Sequence, residues 1–217
     1  MAGFYAVKKG LGAPKIVSTW GECQKMTSGF SGAVFKKFNT KEEAKNFILG
    51  QEIIEKEISS NGRIPFYTDG SFKNGKMGFA VVRADKKQVL FGPLGKTYGL
   101  TTNQRAEIAG LLHAVTWIKK FKLKAVIYTD SEYSLKTLTI YIPQWVQKFG
   151  DDPEDWKTTT GGVPANLDLL IPTLEKLNGI PMEHVRAHQG NKFNEHADDF
   201  ANRGRENSEV IFQENLK

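Results

Sequence analysis

Four acidic side chains could act together on metal ions: Asp69, Glu107, Asp130 and Asp198. Asp69 and Asp130 each follow an apolar segment typical of a buried strand, where a charge has no structural use unless a cation binds it. Glu107 lies one helical turn after Asn103, so both fall on one helix face. Carboxylates brought together repel one another unless a cation neutralises them, and oxygen ligands select Mg²⁺ or Mn²⁺. Two such ions can activate a water and stabilise a leaving oxygen in phosphodiester hydrolysis.

Each carboxylate taken alone also has a structural explanation. An aspartate after a strand often forms a turn or caps a helix. Asp198 lies beside Asp199, so it could belong to a solvated helix face. It is the joint occurrence of the four that favours a metal site.

The distribution of charge predicts an anionic partner. The chain of 217 residues carries a formal net charge of +6, and its pI is about 9.2. Residues 1–50 hold 8 Lys and Arg against 3 Asp and Glu, whereas the remaining 167 hold 22 against 21. Five of the six net charges therefore lie in the first quarter of the chain, and nucleic acid is the commonest partner of such a segment.

Cys23 is the only cysteine, which excludes an intrachain disulfide and a thiolate zinc site and indicates a reducing compartment. No apolar run approaches the roughly 20 residues that span a bilayer, and the N-terminus lacks the apolar region of a signal peptide. We therefore expect an intracellular monomer without membrane association, cytoplasmic, or nuclear or organellar in a eukaryote.

The elements that must position these side chains fall into two groups. The first 50 residues predict a small α+β domain with a hairpin, a helix, a strand and a second helix: Phe4–Val7, Lys15–Thr19, Trp20–Thr27, Ala33–Phe38 and 40–49. The last helix begins at a capping box, in which Thr40 is followed three residues later by Glu43. Residues 51–63 are polar and are predicted to be a linker.

Residues 64–207 predict a second domain of the α/β class, followed by a tail at 208–217. It has five strand-like segments: Ile64–Thr68, Lys76–Arg83, Gln88–Leu94, Ala125–Thr129 and Met182–Val185. Its predicted helices are Asn103–Phe121, Ser131–Thr139, Ile142–Phe149, Leu167–Leu177 and Asn194–Arg203. The first three strands indicate an antiparallel meander, and a helix followed by a buried strand indicates a parallel neighbour. The expected fold is a mixed five-stranded sheet flanked by helices.

The four acids lie in longer strings that resemble the type 1 ribonuclease H family: Tyr67-Thr-Asp-Gly-Ser71, Thr101-Thr-Asn-Gln-Arg-Ala-Glu107, Tyr128-Thr-Asp-Ser131 and His188-Gln-Gly-Asn-Lys-Phe-Asn-Glu-His-Ala-Asp198. The resemblance covers about residues 64–205. It implies a ribonuclease H-like fold and an endonuclease that hydrolyses the RNA strand of RNA/DNA hybrids. It further implies two Mg²⁺ ions, replaceable by Mn²⁺, and products with 5′-phosphate and 3′-hydroxyl ends.

The family's metal ligands correspond here to Asp69, Glu107, Asp130 and Asp198. In the family's arrangement, the first bridges both ions, the last completes the site of the attacking water, and the middle two hold the other ion. Asp198 is preferred to Asp199 because it lies ten residues after His188. His188 is similar to a mobile histidine implicated in proton transfer or product release, although without the following motif it would be interpreted as a surface loop residue.

The resemblance also implies contacts to both strands of a hybrid. RNA 2′-hydroxyl groups, by which a protein distinguishes RNA from DNA, would be contacted by Asn103, Gln104 and Asn74. The DNA strand would be contacted by Thr102, Tyr133, Trp145 and Asn166. Asn74 is equally well explained by a hairpin turn, and Tyr133 by core packing. Many family members carry a basic protrusion, but the corresponding residues 148–155 are acidic here and should repel phosphates.

The first 50 residues resemble the hybrid-binding domain of many cellular ribonucleases H, through the strings Phe4-Tyr-Ala-Val-Lys-Lys-Gly10, Ser18-Thr-Trp20 and Val34-Phe-Lys-Lys-Phe38. Its DNA-facing aromatic residues would be Tyr5, Trp20 and Phe35, with Lys36 and Lys37 contacting phosphates. A domain of this size also needs aromatic residues for its own core, and a related module occurs in proteins that are not nucleases.

These patterns predict a hybrid-binding domain tethered to a ribonuclease H domain, so that binding by one raises the local substrate concentration for the other. One alternative is a protein that binds hybrid or duplex RNA through an inactive nuclease fold, which the intact set of acids disfavours. Another is a polynucleotidyl transferase of the integrase or transposase type. Those enzymes generally use three acids and lack the Thr-Thr-Asn-Gln-Arg string.

Overall fold

The computed structural model describes residues 3–49, 62–95, 98–99, 102–186 and 191–216. The chain divides into two compact units between residues 59 and 60. This division lies in the segment predicted to be a linker, most of which is outside the described residues. None of the helices within those ranges has the length and hydropathy of a membrane span.

The N-terminal unit is a three-stranded antiparallel sheet with a helix on each face. Its elements are β1 (Phe4–Lys9), β2 (Lys15–Val17), α1 (Trp20–Thr27), β3 (Val34–Phe38) and α2 (Lys41–Leu49), and β1 lies in the centre of the sheet. Side chains alternate between the faces of a strand. Val7 therefore packs against Cys23 of α1, whereas Ala6 packs against Ala44 and Phe47 of α2.

A capping box begins α1. The Thr19 hydroxyl accepts a hydrogen bond from the Glu22 amide at 3.3 Å, and the Glu22 carboxylate accepts one from the Thr19 amide at 3.2 Å. The Thr-x-x-Glu pattern of this start is present in the sequence, although the sequence analysis singled out only the one at Thr40. The capping box predicted at Thr40 depends on the side chain of Glu43, which is outside the described residues.

The C-terminal unit contains a six-stranded mixed sheet in the order β8-β7-β4-β5-β6-β9. Its strands are β4 (Ile64–Lys73), β5 (Lys76–Arg83), β6 (Gln88–Leu94), β7 (Ala125–Thr129), β8 (Met182–His184) and β9 (Ile211–Gln213). Its helices are α3 (Asn103–Lys120), α4 (Glu132–Lys136), α5 (Ile142–Phe149), α6 (Leu167–Leu177) and α7 (Lys192–Glu206), with a π-helical turn at Thr137–Tyr141 between α4 and α5. Strands β4 to β6 form the predicted antiparallel meander, and β7 and β8 run parallel to β4.

The predicted fold class is confirmed, but the sheet has one strand more than the five predicted. Strand β9 lies in the segment predicted to be a tail and pairs antiparallel with β6. Three residues are too few to show a period of two, so this strand depends on a partner that is distant in the sequence.

Helices α3 and α7 cover opposite faces of the sheet. Phe66 faces α3, where its ring centroid lies 5.5 Å from that of Trp117. The next residue, Tyr67, faces α7, where its ring stacks on Phe193 at 5.8 Å. Side chains on α3 and α7 can therefore approach β4 from opposite faces of the sheet.

Candidate active site

Asp69 lies within β4, and not at the strand's end as the sequence pattern predicts. Parallel pairing with β7 stops at Thr68 and Thr129, whereas antiparallel pairing with β5 continues to Lys73. Asp130 directly follows Thr129. Both carboxylates therefore lie at the point where β7 ends and β4 continues without it.

Two glycines bring α3, and with it Glu107, against β4. A Cβ atom on Gly70 would lie 2.2 Å from the backbone of Ala106 and Glu107, and one on Gly110 would lie 2.9 Å from the carbonyl oxygen of Asp69. Only residues without a side chain allow this approach. The amide of Gly70 then donates a hydrogen bond to Glu107 Oε2 at 3.1 Å, which fixes the position of this carboxylate.

Three of the four predicted metal ligands form a tight group. One carboxylate oxygen from each of Asp69, Glu107 and Asp130 lies within 4.8 Å of the others. Asp69 and Glu107 are only 7% and 8% exposed. Asp198 lies on α7 outside this group, but its charge raises the pKa of both buried acids. Asp199 is exposed. Burial lowers the pKa of His196, and the charge of Asp199 partly opposes this shift.

The raised pKa values of Asp69 and Glu107 show that their ionised forms are unfavourable without a cation. Burial, and then the charges of Asp130 and Asp198, raise the pKa of Asp69 to about 8. Burial and the charge of Asp69 also raise the pKa of Glu107 well above its ordinary value. Hard oxygen donors concentrated in this way fit a divalent ion such as Mg²⁺ or Mn²⁺, which would favour the ionised carboxylates.

We predict that the metal-free protein loses stability as the pH rises. Because folding raises the pKa of Asp69 to about 8, its stabilising contribution is complete below the unfolded value near 4 and is lost as the pH approaches 8. In EDTA, the Tm of Asp69→Asn should exceed that of the wild type by about 5 °C at pH 8.5, with a smaller difference at pH 5. Thermal unfolding of both proteins across this range, with Asp199→Asn as a control, tests this. Parallel pH profiles for wild type and Asp69→Asn would contradict it.

Helix α7 holds Asp130 through an asparagine that the sequence analysis did not single out. Asn194 is 3% exposed, and its Nδ2 donates to Asp130 Oδ2 at 3.1 Å. Asn191 caps the helix, because its Oδ1 accepts from the amides of Phe193 and Asn194 at 3.1 and 3.2 Å. Both asparagines lie in the string that begins at His188, and a cap at Asn191 could have been predicted from its residue type.

The structure places the predicted RNA contacts at two locations. Asn103 and Gln104 are exposed first residues of α3, one turn before Glu107. Asn74 and Gly75 have φ angles of 52° and 75°, as required for a type I′ turn between β4 and β5. The turn therefore accounts for Asn74, and its contact to RNA stays a prediction. His188 lies outside the described residues.

Three of the four predicted DNA contacts are connected through Arg105. Its amide donates to the hydroxyl of Thr102, which caps α3, at 3.2 Å, and its guanidinium donates to Asn166 Oδ1 at 3.2 Å. Asn166 in turn donates to the Tyr133 hydroxyl at 3.0 Å. Sequence reasoning missed Arg105, although it lies in the same string as Glu107. The fourth residue, Trp145, packs separately.

Trp145 lies on α5, where its ring centroid is 5.8 Å from that of the buried Trp156. The acidic segment predicted to repel phosphates joins α5 to Trp156. Its four acids, all of them exposed, are Asp151, Asp152, Glu154 and Asp155. Trp145 and these four negative charges therefore lie close together in the sequence.

The N-terminal unit presents an aromatic surface. The Trp20 ring centroid lies 5.7 Å from that of Tyr5 and 5.8 Å from that of Phe35. Trp20 and Phe35 are 48% and 40% exposed. Lys37 pairs with Tyr5 in the sheet, and its Nζ lies 5.7 Å from the Tyr5 ring centroid. We call Tyr5, Trp20, Phe35 and Lys37 the aromatic platform.

Lys36 does not share this surface. It pairs with Ala6, which faces α2, and its Nζ lies 5.6 Å from the ring centroid of Phe38. Neighbouring residues of a strand point to opposite faces. Lys36 and Lys37 are therefore separated, although the sequence analysis grouped them as phosphate contacts.

Comparison with known proteins gives the same division of the chain. Residues 61–206 match the family model described as RNase H, and residues 3–48 match the model described as ribonuclease H1 N-terminal domain. The chain is 34% identical over 150 residues to ribonuclease H of Albidiferax ferrireducens, which covers 65% of this chain and 93% of that protein. It is 27% identical over 266 residues to ribonuclease H1 of Rattus norvegicus, covering 95% of this chain and 90% of that protein.

Among solved structures, the RNase H domain of PFV has the same fold as the C-terminal unit. It is 24% identical, with a TM-score of 0.52, and the match covers 66% of this chain and 94% of that domain. The family model alone spans more than half of the sequence. The chain therefore belongs to the ribonuclease H family, with the N-terminal domain of ribonuclease H1 preceding its catalytic domain.

Proposed function

We propose that this ribonuclease H cuts the RNA strand of RNA/DNA hybrids with two divalent ions, Mg²⁺ or Mn²⁺, and leaves 5′-phosphate and 3′-hydroxyl ends. The observation that carries the proposal is the packing of Asp69, Glu107 and Asp130 carboxylate oxygens within 4.8 Å of one another. Asp69 and Glu107 are buried and have raised pKa values, so their ionised forms are costly without cations and suited to binding them.

Each acid has a distinct part in this proposal. Asp69 and Glu107 both interact with the charges of Asp130 and Asp198, and from the resemblance to the family we assign to Asp69 the contact with both ions. Glu107 and Asp130 would hold one ion, and Asp198 would complete the site of the other. When bound, the ions would activate a water and stabilise the leaving 3′-oxygen of the RNA.

The surfaces around the acids would select the substrate. Asn103 and Gln104, one turn before Glu107, would contact RNA 2′-hydroxyl groups. Thr102 and Asn166, which are connected through Arg105, would hold a phosphate of the DNA strand, and Tyr133 would contact the same strand. The aromatic platform of the N-terminal unit would contact the DNA strand. We also propose that the chain works as a monomer in a reducing intracellular compartment. Its single cysteine, which is buried, supports the reducing environment.

The products of a hybrid cleaved in Mg²⁺ test the proposed chemistry. Attack by water predicts RNA fragments whose 5′-phosphates permit ligation and whose 3′-hydroxyls permit extension by a polymerase. A mechanism that used the RNA 2′-hydroxyl as nucleophile would instead give 2′,3′-cyclic phosphates. Such ends, or equal cleavage rates in EDTA and Mg²⁺, would contradict the proposal.

A further inference from the structure

Asp198 is the one predicted metal ligand outside the tight group, and a single side chain fixes it. Asn202 lies one turn later on α7. Its Nδ2 donates to Asp198 Oδ1 at 3.0 Å and to the Asp198 carbonyl oxygen at 3.0 Å. One carboxylate oxygen of Asp198 is therefore engaged, and Oδ2 is the oxygen that an ion would use.

The other end of the Asn202 amide is held just as firmly. Its Oδ1 accepts hydrogen bonds from Ser71 Oγ at 2.8 Å and from Arg205 Nη1 at 2.9 Å. Arg205 Nη1 also donates to Ser71 Oγ. A guanidinium only donates and a carboxylate only accepts, so the amide of Asn202 has one satisfactory orientation.

The hydrogen bonds consequently run in one direction. They lead from Arg205 through Ser71 to Asn202, and from Asn202 to Asp198. Bonds aligned in this way polarise one another and strengthen the last donor. We call Arg205, Ser71 and Asn202 the amide relay.

The amide relay joins β4 and α7, the two elements that carry Asp69 and Asp198. Ser71 lies two residues after Asp69 on β4 and pairs with Gly78 of β5. A Cβ atom on Gly78 would lie 2.2 Å from the Arg205 backbone nitrogen, so α7 contacts the sheet closely here. Close backbone packing therefore holds α7 against the sheet beside the strand that carries Asp69.

We propose that Asn202 is a positioning residue that sets the affinity of the ion site shared by Asp69 and Asp198. Without this donor, the half-buried Asp198 carboxylate would be free to rotate away from Asp69. The inference rests on the proposed two-ion function. It assigns to Asn202 the task that Asn194 performs for Asp130 on the same helix.

Mg²⁺ titration in the absence of nucleic acid tests the amide relay. In Asn202→Leu, which keeps the side-chain size but has no donor, the Mg²⁺ affinity measured by calorimetry should fall about tenfold. Ser71→Ala, a milder change that leaves the donor in place, should weaken Mg²⁺ binding less. Because both changes act through one relay, the double variant should bind Mg²⁺ no more weakly than Asn202→Leu alone.

Kinetics separate positioning from a general structural defect. In Asn202→Leu, the Mg²⁺ concentration for half-maximal cleavage should rise by a similar factor, while the rate at saturating Mg²⁺ stays near that of the wild type. Asp199→Asn, an exposed change on the same helix, should alter neither quantity. Unchanged Mg²⁺ affinity in folded Asn202→Leu, or purely additive effects in the double variant, would overturn the inference. A wild type that binds no divalent ion and cuts no hybrid would instead refute the proposed function.

Discussion

Asp69→Asn is expected to slow cleavage of the RNA strand by about 1000-fold or more while leaving hybrid affinity close to that of the wild type. In the proposed arrangement Asp69 contacts both ions, so its loss should impair both ion sites. The amide keeps the shape and nearly the volume of the carboxylate. Single-turnover cleavage in Mg²⁺, measured beside equilibrium binding of the same hybrid in Ca²⁺ or EDTA, separates the two effects.

Asp199→Asn is the matched control for this substitution. It removes the same charge from an exposed side chain next to Asp198, and it should leave the cleavage rate unchanged. Full activity in Asp69→Asn would show that the metal centre has been assigned to the wrong residues. A loss of rate in Asp199→Asn as large as that in Asp69→Asn would show that a less specific effect of charge is responsible.

The combination of Trp20→Ala with Lys37→Ala is expected to weaken hybrid binding by the full chain about 100-fold. Trp20 is the central ring of the aromatic platform, with Tyr5 and Phe35 on either side. Lys37 places its charge on the same face. The cleavage rate of the bound hybrid should change little, since both substitutions lie in the N-terminal unit.

Lys36 supplies the control, because it is the neighbouring lysine on the opposite face. Trp20→Ala combined with Lys36→Ala should weaken binding only by the roughly tenfold contribution of the tryptophan. Binding titrations of the two double variants at one salt concentration decide the matter. Equal losses of affinity in the two double variants would contradict the separation of the two lysines. Unchanged affinity in both would show that the aromatic platform does not bind the hybrid.

The sequence was sufficient to single out Asp69, Glu107 and Asp130, which the structure brings together, because the matching strings and the local pattern around each acid carry the information. Asp130 follows a short apolar strand, and Glu107 lies within an apolar helical repeat. These features predict a strand end and a buried helix face without knowledge of any distant contact. The same reasoning placed the boundary between the two units within a polar segment.

The features that sequence reasoning missed depend on contacts between residues that are far apart in the sequence. Strand β4 continues beyond Thr68 because β5 pairs with it, and β9 exists because β6 offers an edge. Asn202 bonds to Ser71, which lies 131 residues earlier. The pattern of residues within either segment does not predict a hydrogen-bond partner so far away in the sequence.

The face of a strand is a related case. The alternation that separates Lys36 from Lys37 was available in the sequence, but the string Val34-Phe-Lys-Lys-Phe38 does not show which lysine shares a face with Trp20. One phenylalanine of the string lies on each face, and a helix covers each face. Trp20 begins α1, so the position of α1 in the fold decides which lysine lies beside it.

Cleavage of an RNA/DNA hybrid tests the central claim most directly. The hybrid, single-stranded RNA, duplex RNA and duplex DNA, each end-labelled, would be incubated with the full chain in Mg²⁺ and in EDTA. We expect cutting of the RNA strand in the hybrid alone, and only with Mg²⁺. Tight binding of the hybrid without cutting in either Mg²⁺ or Mn²⁺ would contradict the account and indicate a binding protein built on an inactive nuclease fold.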